Sequence, residues 1–157
     1  GWRPHPQWAS MADRVSLRSG VILLALTGQP WDDRYPLATG VTFFNQALYH
    51  ECHDALEILW RRAEDPLKQR LRGMILLAGG FHHQQEGHRL GMEALWSDAL
   101  GLLEPLGGTL ETPWGCVGMA SALEAVRLRL AWLEHYATET NLEPLWKLPR
   151  PEWEWGV

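Results

Sequence analysis

The groups with which this chain could do chemistry are crowded into one short span, "YHECHDALEILW", Tyr49 to Trp60. His50, Glu51, His53, Asp54 and Glu57 fall within eight positions, with a large aromatic at each end. On a helix, His53 and Glu57 stand at i and i+4, so their side chains are neighbours. His50 lies one turn earlier, which gives His50-x2-His53-x3-Glu57. Imidazole and carboxylate groups at such spacings can address a single ion, as metal sites in helical bundles do. With water they suit zinc, iron, manganese or nickel. The plainer reading of the same spacing is a hydrogen-bonded His–Glu pair worth about 0.2–0.5 kcal/mol.

The span belongs to a longer helical pattern, predicted from about Thr39 to Arg62. At 100° per residue, Phe44, Ala47, Leu48, Ala55 and Leu59 form one apolar stripe. Glu51 falls inside that stripe, where a carboxylate is costly unless it is paired. Tyr49, His53, Glu57 and Trp60 share the opposite side. Asp65 and Pro66 then signal a new start, N-cap followed by proline. A second helix is expected from about Pro66 to Glu86, stopping near Gly87. Its stripe is Leu71, Met74, Ile75, Ala78 and Phe81, and Gly79-Gly80 marks close approach of another helix, since interior glycine costs about 1 kcal/mol.

A short connection makes the two helices an antiparallel hairpin. Counting about 1.5 Å per residue from the turn, Glu51 and His83 differ in level by only about 6 Å. Glu51 can therefore meet His82 or His83 across the hairpin, each offsetting the other's desolvation.

Further helices are expected from about Arg89 to Leu103 and from about Thr112-Pro113 to Ala137. In the latter, the two arginines of "RLRLAWLEHY" are assigned to solvent, and "GCVGMA" (115–120) is read as a helix start and packing feature. The tail from Leu142 carries three prolines and Trp146, Trp153 and Trp155, and is expected to be irregular and to fold back on the bundle or a partner. Residues 11–27 read as a helix capped by Ser10, with two short strands as the alternative. The fold class is all-α: a multihelical bundle built on an antiparallel helical hairpin, with four to five helices. One domain spans 1–157, with an N-terminal extension (1–35), a helical core (36–106) and a C-terminal helix with a Trp/Pro-rich tail (107–157).

Bulk properties narrow the function. Lys plus Arg number 14 and Asp plus Glu 19, a net charge of −5. That argues against a nucleic-acid partner, which would need a basic patch. No apolar run reaches membrane-spanning length; Val21–Leu26 has six residues, and it is too short for a signal peptide. Two cysteines, Cys52 and Cys116, make no disulfide framework and read as reduced, buried thiols in a cytoplasmic protein. The ten tryptophans imply rigid packing more than a binding site.

Two stretches resemble one known family. "FNQALYHECHDALEILW" is similar to the signature F-N-x-G-x-Y-x-E-A-H-E-x-L-E-x-x-W of domain of unknown function 309. Phe44, Asn45, Tyr49, Glu51, His53, Leu56, Glu57 and Trp60 match it. Ala47 replaces a glycine, Cys52 an alanine and Asp54 a glutamate. Gly73 to His88 resembles the family's second motif: His83 takes the place of its histidine, while Leu76 replaces a glutamine and His88 an asparagine. The resemblance covers about Pro36 to Leu106. It implies a small multihelical fold and an H-x3-E-x2-W motif suggested to bind metal. His50 is outside that pattern and ranks below Glu51 and His83.

Two functions are therefore expected. In the first, His53, Glu57 and His83 bind a divalent transition metal, Glu51 serves as general base or supports a ligand, and Tyr49 and Trp60 wall a cofactor or substrate pocket in a metal-dependent hydrolase. In the second, the cluster is a buried polar network in a non-catalytic helical module that binds a small molecule or itself.

Overall fold

The computed structural model describes residues 34–156; the expected helix or strands over 11–27 lie outside them. Five α-helices and a small antiparallel sheet make up the described chain, a mostly all-α fold: α1 Arg34–Asn45, α2 Tyr49–Arg62, α3 Leu67–Glu86, α4 Arg89–Leu103 and α5 Ala120–His135. The strands are β1 Thr109–Thr112, β2 Gly115–Gly118 and β3 Glu154–Gly156, paired in that order. Helix α3 is central and packs against both α2 and α4, while α2 leans on α1. Leu56, Leu71, Leu77, Met92 and Trp96 are wholly enclosed between them.

The expected helix over 39–62 is two helices. Its break has a specific chemistry. The N–H of Leu48 donates to the Phe43 carbonyl (2.8 Å) and the N–H of Ala47 to that of Phe44 (3.0 Å), with Ala47 at φ +60°. This is a Schellman ending, which wants a residue in the left-handed region after the cap. The same pair of bonds ends α3, from His88 to His83 and from Gly87 to Gln84, but there glycine takes the left-handed position (φ +73°). Gln85 of α3 donates to the Ala47 carbonyl (2.8 Å) and holds the bend in place.

Gly80 shows why α3 and α4 come so close: a Cβ there would collide with the indole of Trp96. The start of α3 differs from expectation, because Pro66 is the N-cap and Asp65 caps nothing. Thr112-Pro113 opens no helix. It leads the turn between β1 and β2, where Thr112 Oγ1 donates to the Gly115 carbonyl (2.7 Å) and accepts from the Trp114 N–H (3.2 Å). The GCVG segment is accordingly strand β2, with buried Val117 facing Leu110 across the ladder.

The tail folds back on the bundle. Residues Glu143–Lys147 form a 3₁₀ turn, and β3 pairs with β2. Trp153 is 2% exposed and stacks on Phe44 with ring centroids 3.8 Å apart and planes 4° from parallel. Asn45 clamps it: the side-chain amide donates to the Trp153 carbonyl and accepts from its N–H, both at 2.8 Å.

Two expectations of burial are reversed. Cys116 is exposed, so only Cys52 is a buried thiol. Arg127 meets solvent beside Glu104 and Glu124, but Arg129 is only 3% exposed. Its Nε donates to Gln84 Oε1 (2.8 Å), and its Nη1 to the carbonyls of Ala125 (3.0 Å) and Pro149 (2.9 Å), tying α3, α5 and the tail together.

Candidate metal site

Helix α2 presents its polar groups in order because its buried side is already spoken for by Cys52, Ala55, Leu56 and Leu59. His50, His53 and Asp54 emerge together on the other side. Each offers one ligand atom, and the three atoms lie within 4.8 Å of one another. His53 Nδ1 is 3.4 Å from Asp54 Oδ1, and His50 Nδ1 is 3.9 Å from the same oxygen. Ligands around a tetrahedral ion with bonds of about 2.1 Å stand roughly 3.4 Å apart. One pair already has that separation. The others need a side-chain adjustment of about an ångström, which half-exposed rotamers on a helix surface can make. The donor set, two imidazoles and a carboxylate, suits a divalent transition metal and leaves room for water.

The imidazoles continue beyond this group. The rings of His53 and His50 are 6.4 Å apart, those of His50 and His82 5.3 Å, of His82 and His83 6.4 Å, and of His83 and His88 5.6 Å. Five histidines thus run in a row from α2 across α3 to the start of α4. The hairpin brings imidazoles of the two helices together: the rings that meet across it are those of His50 and His82.

The expected site residues are distributed as follows. His53 is one of the three in the group, in which Asp54 Oδ1 is the atom both imidazoles approach. Glu57 Oε2 is 4.0 Å from His53 Nδ1, while its Oε1 accepts from Arg61 Nη2 at 3.1 Å. That carboxylate is therefore shared with a guanidinium. His83 is not beside His53. Its Nδ1 is 3.4 Å from that of His88, and its ring lies over Gly91, where an added Cβ would displace it. Burial, then the neighbouring His88 and His82, push its pKa down, with Glu86 pulling the other way. Glu51 is half-buried in the first turn of α2.

Tyr49 leaves the row it was assigned to. As the first residue of α2 it turns into the core, 5% exposed, against Phe44 and Phe81. Trp60 is half-buried with Lys68 Nζ 4.5 Å over its ring, and its Nε1 is buried without a hydrogen-bond partner. Cys52 lies at the core of the helix, where burial pushes its thiol well above the usual range; it is no nucleophile.

His50, ranked below Glu51 and His83 in the sequence, and Asp54, not singled out there as a ligand, are the two that stand with His53 in this group. The signal was present: they stand at i and i+4, the spacing that singled out His53 and Glu57.

Residues 37–99 match the family model described as "Domain of unknown function (DUF309)". This is the family that the two helix motifs resemble. The matched segment runs from α1 into α4, so it contains the α1–α2 break, Asn45 and the whole α2–α3 hairpin, while Trp153, which Asn45 holds, lies outside it. No curated protein and no solved structure matches the chain. Among the described residues no helix is long and apolar enough to cross a membrane.

Proposed function

We propose that the protein binds a divalent transition metal on the exposed face of α2, through His50, His53 and Asp54, and that this ion is the seat of its activity. The observation that carries the reading is the convergence of three ligand atoms within 4.8 Å on a face where solvent can reach them. His82, the nearest imidazole of the facing helix, is the group best placed to join them. When bound, such an ion supplies an activated water, the requirement of a metal-dependent hydrolase. The chain's own contribution is positioning. Helix α2 fixes the spacing, and Glu57, itself held by Arg61, stands one turn along from His53 and adds negative charge beside the ion's position. Glu51 is the remaining carboxylate of the helix's first turns and is assigned the role of general base.

The competing ligand sets make a direct test. Untagged protein is titrated with zinc, nickel and manganese by calorimetry, and bound metal is measured after purification. On this reading, His50→Ala, His53→Ala and Asp54→Asn each weaken zinc binding by about tenfold or more. His83→Ala leaves it nearly unchanged and Glu57→Gln has a smaller effect. If binding instead follows His53, Glu57 and His83, the family-like set is the site. If none of the metals binds and a chelator leaves the melting temperature where it was, the cluster is a polar network on a non-catalytic module.

A further inference from the structure

The second feature that calls for a ligand lies on a different side of α2, where the helix break, α3, α5 and the tail meet. A cavity of about 260 Å³ opens there, lined by Tyr49, Phe81, Gln84, Arg129, Trp146 and Arg150 among others. Two of those six are guanidinium groups, and none of the described residues that line the cavity carries a carboxylate. Arg129 is the unusual one. A buried charge is normally paired with an opposite charge, because desolvation costs several kcal/mol. Among the described residues Arg129 has no acidic partner. It is held by the amide oxygen of Gln84 and by two carbonyls, with its guanidinium carbon 5.2 Å from the centre of the Phe81 ring. Those acceptors occupy Nε and Nη1, and among the described residues Nη2 of the fork is left for another acceptor.

Arg150 approaches from the tail and donates to the Asn45 carbonyl at the helix break. Both guanidinium groups act on the Tyr49 hydroxyl: burial raises its pKa, and Arg150 and Arg129 in turn pull it back. Burial likewise lowers the pKa of Arg129 to about 10, so it keeps its charge at neutral pH. The cavity is therefore lined by two positive charges, a phenol and an amide together with apolar groups that include Phe81, Trp146 and Leu148, in a protein of net charge −5.

We infer that this cavity is a binding site for a small organic anion, a carboxylate or phosphate monoester carrying a short apolar or aromatic body. The oxyanion takes the guanidinium donors of Arg129 and Arg150, which suit planar or tetrahedral oxyanions. The body lies against Phe81 and Trp146. A volume near 260 Å³, a little below the usual range for drug-sized ligands, suits a metabolite as small as this. The site is separate from the histidine face: Tyr49 and His50 are consecutive and leave the helix about 100° apart. Its fate does not depend on whether metal binds.

The test uses the full chain, stripped of metal, with benzoate, phenyl phosphate and benzyl alcohol as probes, by calorimetry and thermal shift. Binding of benzoate or phenyl phosphate, with benzyl alcohol at least tenfold weaker, is the expected result, and which of the two anions binds better distinguishes the carboxylate from the phosphate. Arg150→Gln weakens that binding about tenfold or more, because a charge-assisted bond is lost. Trp146→Ala, at an exposed indole, weakens it less and leaves the discrimination against the alcohol intact. The inference is overturned if neither anion binds in the millimolar range, if the alcohol binds as well as the anions, or if Arg150→Gln binds like the parent.

Discussion

Asn45→Ala separates what the motif does for the fold from what it does for chemistry. The Asn45 amide makes two hydrogen bonds, both 2.8 Å, to the main chain of Trp153, more than a hundred residues away. A net hydrogen bond is worth about 1 kcal/mol, and the N–H and carbonyl of Trp153 lose their partners in a largely buried setting, so the loss comes to roughly 2–3 kcal/mol. For a chain of about 150 residues each kcal/mol moves the melting temperature by roughly 2–4 °C, which predicts a fall of roughly 4–12 °C. Asn45→Asp keeps the acceptor for the Trp153 N–H but sets a carboxylate oxygen where the donor stood, against the Trp153 carbonyl, so it recovers little of the loss. The stack of Trp153 on Phe44 gives the fluorescence readout, because the indole of a detached tail enters water. Zinc affinity, measured in the same variants below their melting temperature, stays within about twofold of the parent, since Asn45 touches none of the three metal-ligand candidates. The reasoning is refuted if Asn45→Ala melts within about 1 °C of the parent. It is equally refuted if the folded variant loses zinc binding as severely as His53→Ala does.

Ala47→Gly removes a side chain from the left-handed position that ends α1, and urea denaturation should show a gain of about 1 kcal/mol. Acid should weaken the fold through His83: the folded chain holds its pKa below the usual 6.5, so below that pH the unfolded chain binds more protons and stability falls as pH is lowered through this window. His83→Gln should flatten the drop in urea midpoint between pH 7.5 and pH 5.5, and an undiminished drop assigns the effect elsewhere. Maleimide should label Cys116 in the native protein and reach Cys52 only on unfolding, which mass spectrometry of peptides distinguishes.

How far the sequence could be read depended on which residue types punctuate the chain. The end of α3 at Gly87 and the bounds of α4 follow from glycine and proline. The end of α1 has the same hydrogen bonds but alanine at the left-handed position, so the apolar stripe runs on across a break that leaves no compositional mark. Interestingly, the family signature that the segment resembles has glycine there. The β-hairpin was missed because its strands are four residues each and Thr112-Pro113 also serves as a helix start. The burial of Arg129 was readable in part: residues two apart on a helix point about 200° apart, so Arg127 and Arg129 could not both face water.

The resemblance pattern also divides once each residue has a place. Phe44 and Asn45 hold the tail, and Tyr49 fills the core between Phe44 and Phe81. These positions need no ion to account for them, so the motif cannot be taken whole as a metal signature. His53 differs. It is half-exposed, contributes no core packing, and faces one carboxylate in front and another a turn along. A fold that only needed the helix would gain almost nothing from such an exposed pair. The chemical meaning of the motif therefore concentrates on His53 and on what stands next to it. In this chain that neighbour is supplied as much by His50 and Asp54, which vary from or lie outside the pattern, as by Glu57, which lies inside it.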